Sequence, residues 1–174
     1  MAVERLSLLE VLEDSYSAYH NIMKEDLPSE YPLIFKADFL QRGEHYWLSK
    51  KMTVWGNETN EFVYLFSEPG FDLAEVERCV QFSLDDGLPR VHPHKEHQYT
   101  NIKAVFVADD FTDDALSFLK KQNFTKTYNH SMWGYTNLVT CAANCYTEKV
   151  VVNACGPDVK KFFKKLFAAQ HKKR

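Results

Sequence analysis

The sequence has no glycine-rich phosphate loop, no G-x-G-x-x-G dinucleotide fingerprint and no G-x-S-x-G nucleophile elbow. Nucleotide-handling and serine-hydrolase chemistry therefore lack their usual marks, and no cofactor is expected. No apolar run approaches the roughly 20 residues of a membrane span. The opening, MAVERLSLLEVLEDSY, is acidic and amphipathic. A secretory leader instead needs a basic start and an unbroken apolar run. Cysteine is sparse: Cys79, Cys141, Cys145 and Cys155 are scattered through expected elements. Ordinary reduced thiols and a cytoplasmic location are expected. Cys141 and Cys145 have C-x₃-C spacing without a second knuckle, a weak zinc pattern. There is no internal repeat, linker or second domain.

Aromatics are plentiful: thirteen phenylalanines, nine tyrosines and three tryptophans in 174 residues argue for a packed core. The net charge of −3 gives no nucleic-acid bias overall, but it is unevenly spread. Lys160 to Arg174 hold six lysines, one arginine and no acid. The expectation is one domain over 1–174 with a basic, mobile tail at 170–174. Tyr46, Trp47, Trp55, Phe62, Tyr64 and Phe66 could form a stacking platform for single strands. Glu44, Glu58 and Glu61 oppose the positive charge such a platform needs. Core packing explains these aromatics better, and nucleic-acid partners are not expected. A protein partner or self-association stays open.

Residues 6–24 have helical spacing, with Leu9, Leu12, Tyr16, Tyr19 and Met23 on one stripe. The stretch from 31 to 66 reads as a three-stranded meander, with QRGE and GNETN as its turns. FDLAEVERCVQFSLDDG is a helix capped by Asp72 and Glu75 and closed by Gly87. IKAVFVAD suits a central strand. A short helix follows, then a hairpin around CYT, then a helix from Pro157 that docks through Phe162, Phe163, Leu166 and Phe167. The expected class is α+β: a mixed or mostly antiparallel sheet with packing helices.

HPHKEH, residues 92–97, gathers His92, His94, Glu96 and His97. It resembles the H-x-H-x-D-H zinc loop of metallo-β-lactamase-like hydrolases over six residues, with glutamate for aspartate. That resemblance implies zinc, yet the family's downstream ligands are missing, so no metal is expected. The alternative is a polar loop in which His97 satisfies buried backbone groups while His92 and Lys95 face water. The order helix, three strands, helix, strand over 6–108 resembles the restriction-endonuclease-like α/β/α fold. That fold implies an acid on the second strand and D/E-x-K on the third, holding Mg²⁺. No expected strand carries D/E-x-K. Asp38 remains an acidic candidate, with a structural ion pair to Lys36 or Lys51 as the competing role.

FLQRGEHYWLSKK (39–51), PHKEH (93–97) and IKAVFVADD (102–110) resemble an uncharacterised bacterial, clostridia-like family of unknown function. The resemblance brings no activity. It implies a candidate functional surface of Arg42, Glu44, His94, Glu96 and His97. The expected role is a non-enzymatic binding or accessory module. The alternative is a divergent metal-dependent hydrolase or a degenerate nuclease-like enzyme.

Overall fold

A computed structural model describes residues 3–46 and 53–172; for 42–46 and 53–56 it describes the backbone alone. The chain begins with α1 (Arg5–Ser17), which buries Leu8, Leu12 and Tyr16, one residue per turn. The helix stops at Ser17, seven residues before the expected end at 24. The N–H groups of Tyr19 and His20 turn back to the Tyr16 carbonyl. Asn21–Met23 then forms β1, which pairs antiparallel with the next strand. The apolar period alone could not show this exit, because Tyr19 continues the stripe yet is exposed.

Two long strands follow, β2 (Leu33–Tyr46) and β3 (Thr53–Ser67), paired antiparallel. The three-stranded antiparallel start is therefore β1-β2-β3, built from different segments than expected. QRGE and GNETN are not turns. They face each other in the ladder, with Gln41 opposite Thr59, Arg42 opposite Glu58 and Glu44 opposite Gly56. Two segments with turn-like composition satisfy each other's backbone groups, and the ladder prevails over local preference.

Beyond β3, β4 (Gly70–Phe71) leads into α2 (Leu73–Gly87). Asp72 caps α2 by accepting the Glu75 N–H at 2.8 Å. Gly87 is not a left-handed cap: its φ is −79°, and the chain continues into the 3₁₀ turn Leu88–Arg90. A Cβ at Gly87 would lie 2.8 Å from Ile102 Cδ1, so the glycine allows the helix end to press on the sheet. Next come β5 (His97–Ala108), β6 (Asp110–Phe111), α3 (Asp113–Lys121), β7 (Thr125–Thr127), β8 (Tyr135–Asn144), β9 (Val150–Val152) and α4 (Pro157–Lys172). The two strand-to-helix passages are built alike. β4 and β6 pair parallel, and Phe71 stacks on Phe111 at 5.7 Å.

The main sheet is mixed, in the order β1-β2-β3-β5-β8-β7, with β9 also on β8. β5 is central and parallel to both β3 and β8, which explains its dense apolar sequence. One face packs Phe35, Val63, Val105 and Val139 under α1 and α4. The other packs Tyr64, Ile102, Phe106 and Leu138 under α2 and α3. Phe163 and Phe167 of α4 are buried, while Phe162 and Leu166 are partly so. The C-terminal helix therefore docks as its spacing suggests. His171, near its end, reaches the Glu148 carboxylate at 2.8 Å. No described helix is long and apolar enough to cross a membrane.

Candidate functional site

Along the middle of β3, level with the start of β5 and on the face covered by α2, a cleft of about 750 Å³ opens. Its walls include Asp38 and Leu40 from β2, Glu58, Asn60 and Phe62 from β3, and Arg90 from the 3₁₀ turn. Strand alternation places these side chains together: Asp38 is opposite Phe62, and Leu40 is opposite Asn60. His92 and His94 line the remaining side.

Arg90 anchors one half of the cleft. Its Nη2 pairs with Asp38 Oδ2, and its Nη1 donates to the Tyr64 hydroxyl at 3.2 Å. The guanidinium carbon lies 4.2 Å from the centre of the Phe62 ring. The Tyr64 hydroxyl donates to Asp86 Oδ2 at 2.7 Å, and Lys36 donates to Asp86 Oδ1 at 2.9 Å. Burial, reinforced by the Asp86 carboxylate, pushes the Tyr64 phenol upward. Burial alone would raise Asp86 as well. The hydrogen bonds from Tyr64 and Lys36 outweigh it and hold Asp86 below the usual carboxylate range. Asp38 thus has a structural partner, but it is Arg90 and not Lys36, which goes to Asp86. Lys51 lies outside the described residues.

The other half is a chain of neutral and acidic groups. Glu58 and Asn60 are each only 6% exposed. Asn60 Nδ2 donates to Glu58 Oε1 at 3.2 Å and approaches Thr100 Oγ1 at 3.5 Å. His94 Nε2 is 3.1 Å from Glu58 Oε2, and the Glu96 N–H donates to His94 Nδ1 at 3.2 Å. Nδ1 therefore accepts and Nε2 donates. His97 has the opposite tautomer. Its Nδ1 donates to the Trp133 carbonyl at 2.7 Å, and its Nε2 accepts from the Thr100 hydroxyl at 2.9 Å. Among the described residues three buried side-chain polar atoms have no hydrogen-bond partner: His20 Nδ1 on the opposite face, and Asp38 Oδ1 and Asn60 Oδ1, which belong to residues lining the cleft.

The HPHKEH residues do not converge. His97 lies buried beneath the cleft and ties down the Trp133 loop, as the backbone-satisfying role requires. His94 faces the cleft, His92 stands at its rim, and the Lys95 side chain is exposed. Glu96 contributes only backbone here: its N–H goes to His94, and its carbonyl accepts the Glu58 N–H at 2.8 Å. The backbone of Arg42 is opposite Glu58 and that of Glu44 opposite Gly56, while their side chains lie outside the described residues. Among the described residues, no group of three or more His, Cys, Asp or Glu side chains could hold a metal ion. Where the nuclease pattern wants D/E-x-K, β3 has Glu58-Thr59-Asn60, with no lysine at the third position.

Sequence reasoning missed Glu58, Asn60 and Arg90. Glu58 and Asn60 were assigned to a turn. Their period-two spacing with Phe62 and Tyr64 was the available signal. Nothing local marks Arg90, which finds Asp38 across 52 positions.

No curated protein and no solved structure matches the chain. A family profile described as Domain of unknown function (DUF8052) matches residues 4–165, nearly the whole sequence, and the chain belongs to that family.

Proposed function

We propose that the protein is a binding module whose ligand occupies the cleft between β2, β3 and the 89–94 segment. The single observation behind this reading is the pair of buried, partnerless acceptors, Asp38 Oδ1 and Asn60 Oδ1, in the wall of an open cleft. A buried acceptor without a donor costs about 1–3 kcal/mol, so two at one site favour a ligand that supplies donors. Binding is favoured over catalysis because the two imidazoles packed against Glu58 and Thr100 are fully engaged, while His92 stands at the exposed rim. His94 and His97 each use both ring nitrogens within the protein, so neither offers a free lone pair as a base.

The test is chemical-shift mapping of the ¹⁵N-labelled protein against small fragments spanning cations, anions, polyols and neutral heterocycles. Binding at the cleft shifts the resonances of residues 38–40, 58–62 and 89–94 together. If no fragment moves that set, the reading fails.

A further inference from the structure

Resting on that reading of the cleft, we infer that its ligand carries a pair of N–H donors on planar nitrogen, as in an amidine, a guanidine or an aminoheterocycle, attached to an apolar or ring-shaped body.

The unmet need in the cleft wall is for donors. Asn60 is more than nine-tenths buried, lines the cleft, and keeps its amide oxygen without a partner. Asp38 is less buried, with its side chain 28% exposed, but its Oδ1 atom is likewise buried and without a partner among the described residues, the other carboxylate oxygen being held by Arg90. Much of the local donor capacity is engaged, although the five-donor Arg90 guanidinium keeps further N–H groups. Arg90 uses Nη1 and Nη2 on Tyr64 and Asp38, His94 uses Nε2 on Glu58, and Asn60 uses its NH₂ on Glu58 and Thr100. A phosphate or carboxylate could meet the remaining Arg90 N–H groups but would leave both oxygens without a donor. A hydroxyl would donate one hydrogen but bring two lone pairs that need donors in turn. An N–H on planar nitrogen donates and asks for nothing back.

The positions of the two residues suit a two-pronged group. Asp38 and Asn60 are on neighbouring antiparallel strands, on one face, diagonal to each other across the Asp38–Phe62 and Leu40–Asn60 pairs. Diagonal neighbours of this kind are within reach of one ligand edge. Part of the remaining lining is apolar. Phe39, Leu40, Phe62 and Pro89 border the same cleft, and Leu40 is left 63% exposed. A ring on the donor pair would cover Leu40, which burial favours.

Benzamidine is the probe that combines the two features, and benzoate is its isosteric anion. Both are titrated into the ¹⁵N-labelled protein, with methyl glucoside as the hydroxyl arm. The expected result is saturable benzamidine shifts at residues 38–40, 58–62 and 89–94, with benzoate and methyl glucoside silent there. Asn60→Leu, which removes one acceptor, should weaken benzamidine about tenfold, the equivalent of one hydrogen bond. The spectrum of that variant reports whether it is folded, and the parent titration decides the question without it. Binding of methyl glucoside or benzoate at the cleft, with benzamidine silent, overturns the N–H assignment and leaves the cleft as a binding site. Silence of all three probes at the cleft overturns the N–H assignment. Silence of the wider fragment set overturns the binding reading too.

Discussion

Asn60 and Glu61 are neighbours on β3, face opposite sides of the sheet, and live by opposite rules. Under α1, Glu61 is saturated. His20 Nε2 is 3.3 Å from one oxygen, and Lys103 Nζ is 2.6 Å from the other. Burial alone would raise the pKa of Glu61. The His20 hydrogen bond and the charge and hydrogen bond of Lys103 override it and hold the carboxyl at about 2. Under α2, Asn60 has its donors engaged and its acceptor empty, and Asp38 accepts from Arg90 at one oxygen while the other is empty. An ion-pair cluster in which, among the described residues, only the buried His20 Nδ1 lacks a partner, and which lines no cleft wall beside Asn60, fastens the sheet on one side. On the other side an equally buried set of polar groups is left with open valences beside a cleft. The contrast shows that buried polarity alone does not mark a site, whereas unmet hydrogen-bonding capacity at an accessible wall does.

The closed face should respond to damage most strongly. Phe163 is fully buried between α4 and the sheet, so Phe163→Ala should cost about 3–5 kcal/mol in urea unfolding. Phe162 is only partly buried, and its alanine variant should cost less. Equal, negligible costs would detach α4 from the core.

Acid should reach the closed face next. Glu61 titrates near 2 in the folded protein and at an ordinary carboxylate value of about 4.3 when unfolded. A carboxyl depressed in this way stabilises the fold fully above about pH 5 and loses that contribution as pH falls towards 2. The loss is about 3 kcal/mol. Asp86 is depressed in the same direction and adds to the slope. Glu61→Gln should flatten stability between pH 5 and 2, and an unchanged slope would mean the pair does not hold Glu61 down.

What the sequence made legible follows from how local each cause is. The cap at Asp72, the apolar density of β5 and the phenylalanine stripe of α4 are local, and all three elements lie where they were expected. The long β2–β3 hairpin is a property of two segments at once. QRGE and GNETN each look like a turn until they are paired. The site suffered the same way. Asp38 and His94 stood out as a lone acid and part of a histidine cluster. Glu58 and Asn60 were hidden in the misread turn. Arg90 acquires meaning only when the 3₁₀ turn carries it over β2.

The smallest expected effect is chemical. Burial pushes Cys79 and Cys145 up to about 12 and raises Cys141 as well, while Cys155 is exposed. Iodoacetamide at pH 8 should therefore label the native protein at Cys155 alone, and labelling at Cys79, on the buried side of α2, would show that the cleft face opens more readily than its packing implies.

The contrast between residues 60 and 61 is tested most directly by urea unfolding of Asn60→Leu and Glu61→Leu side by side. Leucine at 61 leaves the Lys103 ammonium, 13% exposed, without its carboxylate, and should cost about 3 kcal/mol. Leucine at 60 removes the hydrogen bond to Glu58 but also an unsatisfied oxygen, so the two effects should cancel to within about 1 kcal/mol. A loss at Asn60→Leu as large as that at Glu61→Leu would make Asn60 a structural residue like its neighbour and contradict the account.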